Sequence, residues 1–148
     1  MLIGIDPRVT PALMNCLMRM GHGDELVIAD SNFPADSIAA TTRLGTPIYL
    51  PGLTTPAAVD IITTLMPLDA FGTLCALRME IDDAPEKLDT VHTDTLEIIN
   101  ARMPGEGLTG SLSRPEFYPR AARAFGVIAT TEARPYGCFI LRKGVVFQ

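Results

Sequence analysis

Four consecutive apolar residues, Leu26-Val27-Ile28-Ala29, stand between two sharp interruptions. Upstream lies the glycine-flanked turn Gly21-His22-Gly23-Asp24, and downstream lies Asp30-Ser31-Asn32-Phe33-Pro34. A short run with no polar side reads as a strand covered on both faces, so the remainder of the chain has to supply two layers of cover. Thr10-Pro11 gives an N-cap followed by a proline in the first helical position. Leu13, Leu17 and Met20 then recur at helical spacing, and Gly21 stops the helix. Thr55-Pro56 repeats the signal and opens a helix to about Met66, and Arg114-Pro115 opens another through Phe117, Ala121 and Phe125. A less regular helix is expected from Pro85 to Ala101. Strands are expected at Pro47–Leu50, Phe71–Met79, Gly126–Ala129 and Cys138–Leu141, with a last one at Val145–Phe147 after a Lys143-Gly144 turn. Gly105 to Gly110 reads as a loop. Helices and strands alternate, so the fold class is α/β: a mixed, mostly parallel sheet flanked by helices.

The chain has 148 residues, of which 47% are hydrophobic, enough for one compact domain over 1–148 with a sizeable core. A net charge of -5 argues against nucleic acid or an anionic membrane as partner. No apolar run approaches the roughly 20 residues of a membrane span, and Met1-Leu2-Ile3-Gly4-Ile5-Asp6 does not read as a signal peptide. Cys16, Cys75 and Cys138 are odd in number and widely spaced, which reads as reduced thiols in a cytoplasmic protein. Only 20% of residues are charged, and a small chain this apolar is expected to bury surface against other subunits.

His22 is one of two histidines. Glycines on either side leave its ring uncrowded, and an imidazole titrates near pH 6.5, so it can give or take a proton at neutral pH. The bland alternative is a surface-loop histidine. Asp30 ends an apolar strand, where ligands of α/β sheets collect; Asp-Ser-Asn equally reads as an Asx-turn. The two residues together read as an imidazole and a carboxylate delivered to one end of a sheet. Tyr136, beside Gly137, can stack on a sugar face or bond a hydroxyl, or can simply be a strand-edge tyrosine. His92, in Val91-His92-Thr93-Asp94, reads as solvated. Glu80, Asp82 and Asp83 follow a strand without a histidine or cysteine at ligand spacing, so no metal site is expected. No phosphate loop and no serine-hydrolase elbow is present.

Taken together, several segments resemble the fucose mutarotase/ribose pyranase family nearly end to end. They are Pro11-Ala12-Leu13, Met20-Gly21-His22-Gly23-Asp24-Glu25, Ala29-Asp30-Ser31-Asn32-Phe33-Pro34, Phe117-Tyr118-Pro119-Arg120-Ala121 and Tyr136-Gly137-Cys138-Phe139-Ile140-Leu141-Arg142-Lys143-Gly144-Val145. The glycine-flanked histidine block and the D-x-N-F-P loop point to the fucose branch. Residues 43–110 match loosely.

The resemblance implies a monosaccharide mutarotase that interconverts the α and β anomers of L-fucose or a related sugar without cofactor or metal. By resemblance His22 is the catalytic acid/base, and Asp30, Arg114 and Tyr136 bind the sugar. Cys138 falls where the family carries an asparagine, so backbone contacts are kept and a side-chain amide is lost. A ring-shaped homo-oligomer, often a decamer, with sites near subunit interfaces is also implied. The alternative is a non-catalytic sugar-binding or transport-accessory oligomer.

Overall fold

The computed structural model describes residues 2–71, 74–103 and 108–147. Thr10 starts helix α1 (Pro11–Arg19) by accepting the Leu13 N–H on its hydroxyl at 3.2 Å, and the helix buries Leu13, Cys16 and Leu17. The Gly21–Asp24 turn then feeds β1 (Glu25–Ala29). A short helix, α2 (Ala35–Ala39), which the sequence pattern did not signal, follows the Asp30 loop. β2 (Ile48–Leu50) leads to α3 (Thr55–Leu65), which is capped by Thr54, one residue before the Thr55 that the Thr-Pro signal marks, so that Pro56 is the second helical residue.

β3 is described over Leu74–Met79, with Phe71 outside the strand; residues 72–73 of the expected strand lie outside the described residues. Helix α4 (Thr90–Arg102) starts five residues later than expected. Asp89 is its N-cap and His92 closes the capping box, so Pro85–Leu88 lies outside the helix, partly in a turn. Two further expectations fail. The expected loop at 105–110 lies partly outside the described residues, and from Leu108 it is strand β4 (Leu108–Leu112). Pairing with β3 there overrides the weak local preference of Leu-Thr-Gly-Ser-Leu. Val145–Phe147 is not a strand, because both edges of the preceding strand are already paired.

Ser113 and Glu116 form the capping box of α5 (Arg114–Ala121). The chain turns after Ala121, short of Phe125, and Phe125 N–H donates to Glu25 O at 2.8 Å to enter β5 (Gly126–Thr130) beside β1. β6 (Phe139–Arg142) completes one six-stranded sheet of order β2-β5-β1-β6-β3-β4. Only β6 runs against its neighbours; the β1/β5, β2/β5 and β3/β4 pairs are parallel. The fold is thus one α/β domain with a mixed sheet.

The alternation along each strand divides the core. Leu26, Ile28, Ile128, Phe139 and Leu141 pack with α1, α3 and α4 on one face; Val27, Ala29, Val127 and Ile140 pack with α2 and α5 on the other. This is the double cover that the apolar β1 demanded. Among the described residues, no helix is long and apolar enough to cross a membrane.

Candidate functional site

The strand directions decide which residues can meet. β1, β3, β4 and β5 all end on one side of the sheet, and antiparallel β6 begins there, with Ile28 opposite Phe139 and Met79 opposite Leu112. That edge therefore collects Asp30 after β1, Met79 to Asp82 after β3, Arg114 at the start of α5, and Tyr136 to Cys138 before β6. Of these, Asp30, Met79, Asp82, Arg114, Tyr136 and Cys138 line a cleft of about 300 Å³, with Asn32, Phe33, Tyr118 and Pro135 completing its wall. Its volume sits at the small end of ligand pockets.

Asp30 is buried, and its carboxylate performs two tasks. Oδ1 accepts the N–H groups of Asn32 and Phe33, both at 3.0 Å, which is the Asx-turn reading. Oδ2 accepts the Gly137 N–H at 3.1 Å and lines the cleft. A carboxylate offers about four lone-pair sites, so capacity remains for a ligand hydroxyl. Burial pushes its pKa up from the usual carboxylate value, opposed by these amide hydrogen bonds. The Cys138 thiol accepts the Asp30 N–H at 3.4 Å, and burial beside the Asp30 carboxyl raises its pKa well above the ordinary range. That thiol is therefore protonated and inert.

Tyr136 is one of two described non-glycine residues with positive φ, at 60°. Left-handed geometry in a large side chain marks a position held by its surroundings. Arg114 pairs with Asp82 at 2.8 Å, a contact that raises its pKa further, with Tyr118 assisting. A cation, two phenols and two carboxylates thus face one small cleft.

His22 is not in it. The Gly21–Asp24 turn feeds the amino end of β1, whereas Asp30 leaves the carboxyl end. Five strand residues at roughly 3.3 Å each put about 16 Å of sheet between them. The expectation that one chain delivers both to the same sheet end is thereby corrected. His22 instead stands half exposed (48%) over buried Asp69 (1% exposed), with Nε2 3.4 Å from Oδ1. Asp69 Oδ2 accepts from Arg142 Nε at 3.0 Å, and Phe71 meets the His22 ring edge-on at 5.4 Å. The imidazole is oriented by a carboxylate that a guanidinium holds in place, a pattern suited to proton transfer.

His92 is also corrected: it is wholly buried (0% exposed) rather than solvated. Sequence reasoning missed Asp69, Arg142, Tyr118 and Asp82. Asp82 had a usable signal, since it follows a strand at its carboxyl end; Asp69, far along the chain from His22, had none.

A polar cleft beyond the carboxyl ends of a mostly parallel sheet, with a separate carboxylate-braced histidine, defines a small α/β protein built to handle a polar ligand. The chain belongs to the RbsD / FucU transport protein family, whose model matches residues 3–146. It is 40% identical to the fucose mutarotase of Homo sapiens over 98% of this chain and 94% of that one. It is 34% identical to the L-fucose mutarotase of Haemophilus influenzae, covering 98% and 97%. The crystal structure of a Streptococcus pneumoniae fucose mutarotase in complex with L-fucose superposes with a TM-score of 0.87 at 32% identity, covering 99% of this chain and 100% of that one.

Proposed function

We propose that this protein is a sugar mutarotase acting on L-fucose or a closely related monosaccharide. The observation that carries this reading is the convergence of Asp30, Arg114, Tyr118 and Tyr136 on one small cleft, in a chain 40% identical to a fucose mutarotase. Anomer exchange requires one proton delivered to the ring oxygen and one taken from the anomeric hydroxyl. The ring opens to the aldehyde, rotates and closes on the other face. Such chemistry asks for positioned acids and bases and no redox step.

His22 is the acid/base in this reading. With Nε2 turned to Asp69 Oδ1 at 3.4 Å, Nδ1 is the nitrogen left for the sugar or a bridging water. Asp30 and Arg114 bind hydroxyls, and Tyr136 packs on the ring and is a second proton partner. Cys138 supplies backbone contacts only, its thiol already accepting the Asp30 amide.

Since His22 and Asp30 lie at opposite ends of β1, a complete site requires the His22 end of one subunit against the cleft of another. The surface around His22 supports this, because Phe71, Val146 and Phe147 are exposed there and Phe147 packs on Phe71. A ring-shaped homo-oligomer such as a decamer, working in the cytoplasm, fits that requirement.

Exchange NMR on the anomeric protons of L-fucose, D-ribose and several hexoses tests the reading. Accelerated exchange with wild type, reduced by about 10²–10⁴-fold in His22→Ala, is the expected result. Sugar binding without acceleration would replace the enzyme reading with a binding role.

A further inference from the structure

We propose that His92 is a positioning residue for the sugar site, holding the Tyr136–Gly137 peptide in the one orientation that presents Tyr136 to the cleft. The inference rests on the mutarotase reading and deepens it. A single peptide unit is held at both its polar atoms. Its N–H, from Gly137, donates to Asp30 Oδ2 at 3.1 Å; its C=O, from Tyr136, accepts from His92 Nε2 at 3.0 Å. The proton position follows from the other ring nitrogen, because Nδ1 accepts the Asp89 N–H at 3.1 Å and so carries none. A peptide gripped on both sides cannot flip about its flanking bonds, which fixes ψ of Tyr136 and φ of Gly137, and Tyr136 is held beside it at φ 60°.

The grip is built into the core. His92 is fully buried and its ring packs on Phe139 of β6. From β3, Arg78 faces the ring as a charge and Met79 as backbone; from the start of α4, Asp89 faces it. Burial holds the imidazole below its ordinary pKa, and Arg78 adds to that effect. Both keep the ring in the neutral form that Asp89 N–H requires. The Gly137 carbonyl accepts from Thr55 Oγ1 at 2.6 Å, so α3 fixes the next peptide as well. Thus the residue that first looked solvated links the helical layer to the cleft wall.

Two variants separate this role from mere packing. His92→Asn keeps a short carbonyl acceptor for the Asp89 N–H but stops short of Tyr136; His92→Gln carries an amide donor long enough to reach the Tyr136 carbonyl. In exchange NMR with L-fucose, His92→Asn should raise KM about tenfold, with the loss falling on KM more than on kcat, and His92→Gln should recover most of it. Equal KM in His92→Asn and wild type would overturn the inference while leaving the mutarotase reading intact. Wild type that neither binds nor exchanges the sugar would overturn both.

If His92→Asn does not fold, wild type decides by itself. The tautomer of His92 and the Gly137 amide are followed by nitrogen-15 NMR at neutral pH as L-fucose is added. A proton on Nε2 whose signal shifts together with the Gly137 amide as the sugar binds supports the inference; a proton on Nδ1 instead, or an Nε2 proton that does not respond to the sugar, overturns it.

Discussion

Asp30 is a scaffold group and, in the proposed site, a ligand group as well, so its charge state matters twice. Three backbone amides converge on its carboxylate, yet burial outweighs them and raises its pKa above the ordinary value of 3.8. A folded-state pKa above the unfolded one means the native state binds the proton more tightly. The stability Asp30 contributes is therefore full below 3.8 and is lost as pH rises through the raised value. Relative to Asp30→Asn, wild type should show its largest stability advantage in acid and a smaller one at neutral pH. Urea denaturation of both proteins across that range checks the sign. At neutral pH, Asp30→Asn should also weaken sugar binding about tenfold, because an amide N–H in place of Oδ2 would oppose the Gly137 N–H. Both sequence readings of Asp30 coexist in the structure, as Asx-turn and as cleft wall. His92 was hidden because Thr93 and Asp94 beside it are polar. The stripe Val91, Thr95 and Ile99 was the available sign that this part of α4 is buried.

At the scale of elements, the chain announced what its local chemistry controls. Thr-Pro and Arg-Pro starts placed α1 and α5, and α3 to within a residue, because a capping oxygen and a fixed proline φ act within one turn. What it did not announce was decided at a distance. β4 exists because β3 offers a free edge, and Val145–Phe147 leaves the sheet because β6 has two partners already. Gly144 marks where the chain leaves the sheet. Its N–H donates to Pro67 O at 2.8 Å, and a Cβ added there would fall 2.7 Å from the Leu68 carbonyl carbon and 3.0 Å from Asp69 Cα. This contact fixes the segment that carries Asp69 against the end of β6. Gly144→Ala should destabilise the protein by about 1–3 kcal/mol, as overpacking does. It should also lower kcat, since displacing Asp69 frees the His22 ring. Denaturation midpoints and exchange rates measured on the same samples check both; an unchanged midpoint would show that the backbone there can yield.

At the scale of the whole molecule, strand direction outranks sequence proximity. His22 and Asp30 lie eight positions apart in the chain, yet β1 carries them to opposite ends of the sheet. The sequence pattern identified both residues without revealing that separation, because periodicity records which face a side chain takes and not which end of a sheet its neighbours share. An exposed histidine with apolar surroundings at one end, and an open polar cleft at the other, could act on one sugar only between molecules, as the proposed function has it. If each working site takes His22 from one subunit and its sugar-binding groups from the next, two inactive variants should rescue one another. His22→Ala lacks the acid/base and Arg114→Ala lacks a binding cation, while Arg114 is exposed and pairs with exposed Asp82. Each variant alone should be strongly impaired at subsaturating sugar. Unfolded together in equal amounts and refolded as mixed assemblies, they should regain about a quarter of wild-type exchange, the share of random neighbour pairs in which both contributing chains are intact at that contact. Sites contained within single chains would give no rescue, because every chain would still carry one lesion. Size-exclusion chromatography of the mixture ensures that the assemblies compared are of equal size, so that rescue or its absence reports where the site is built.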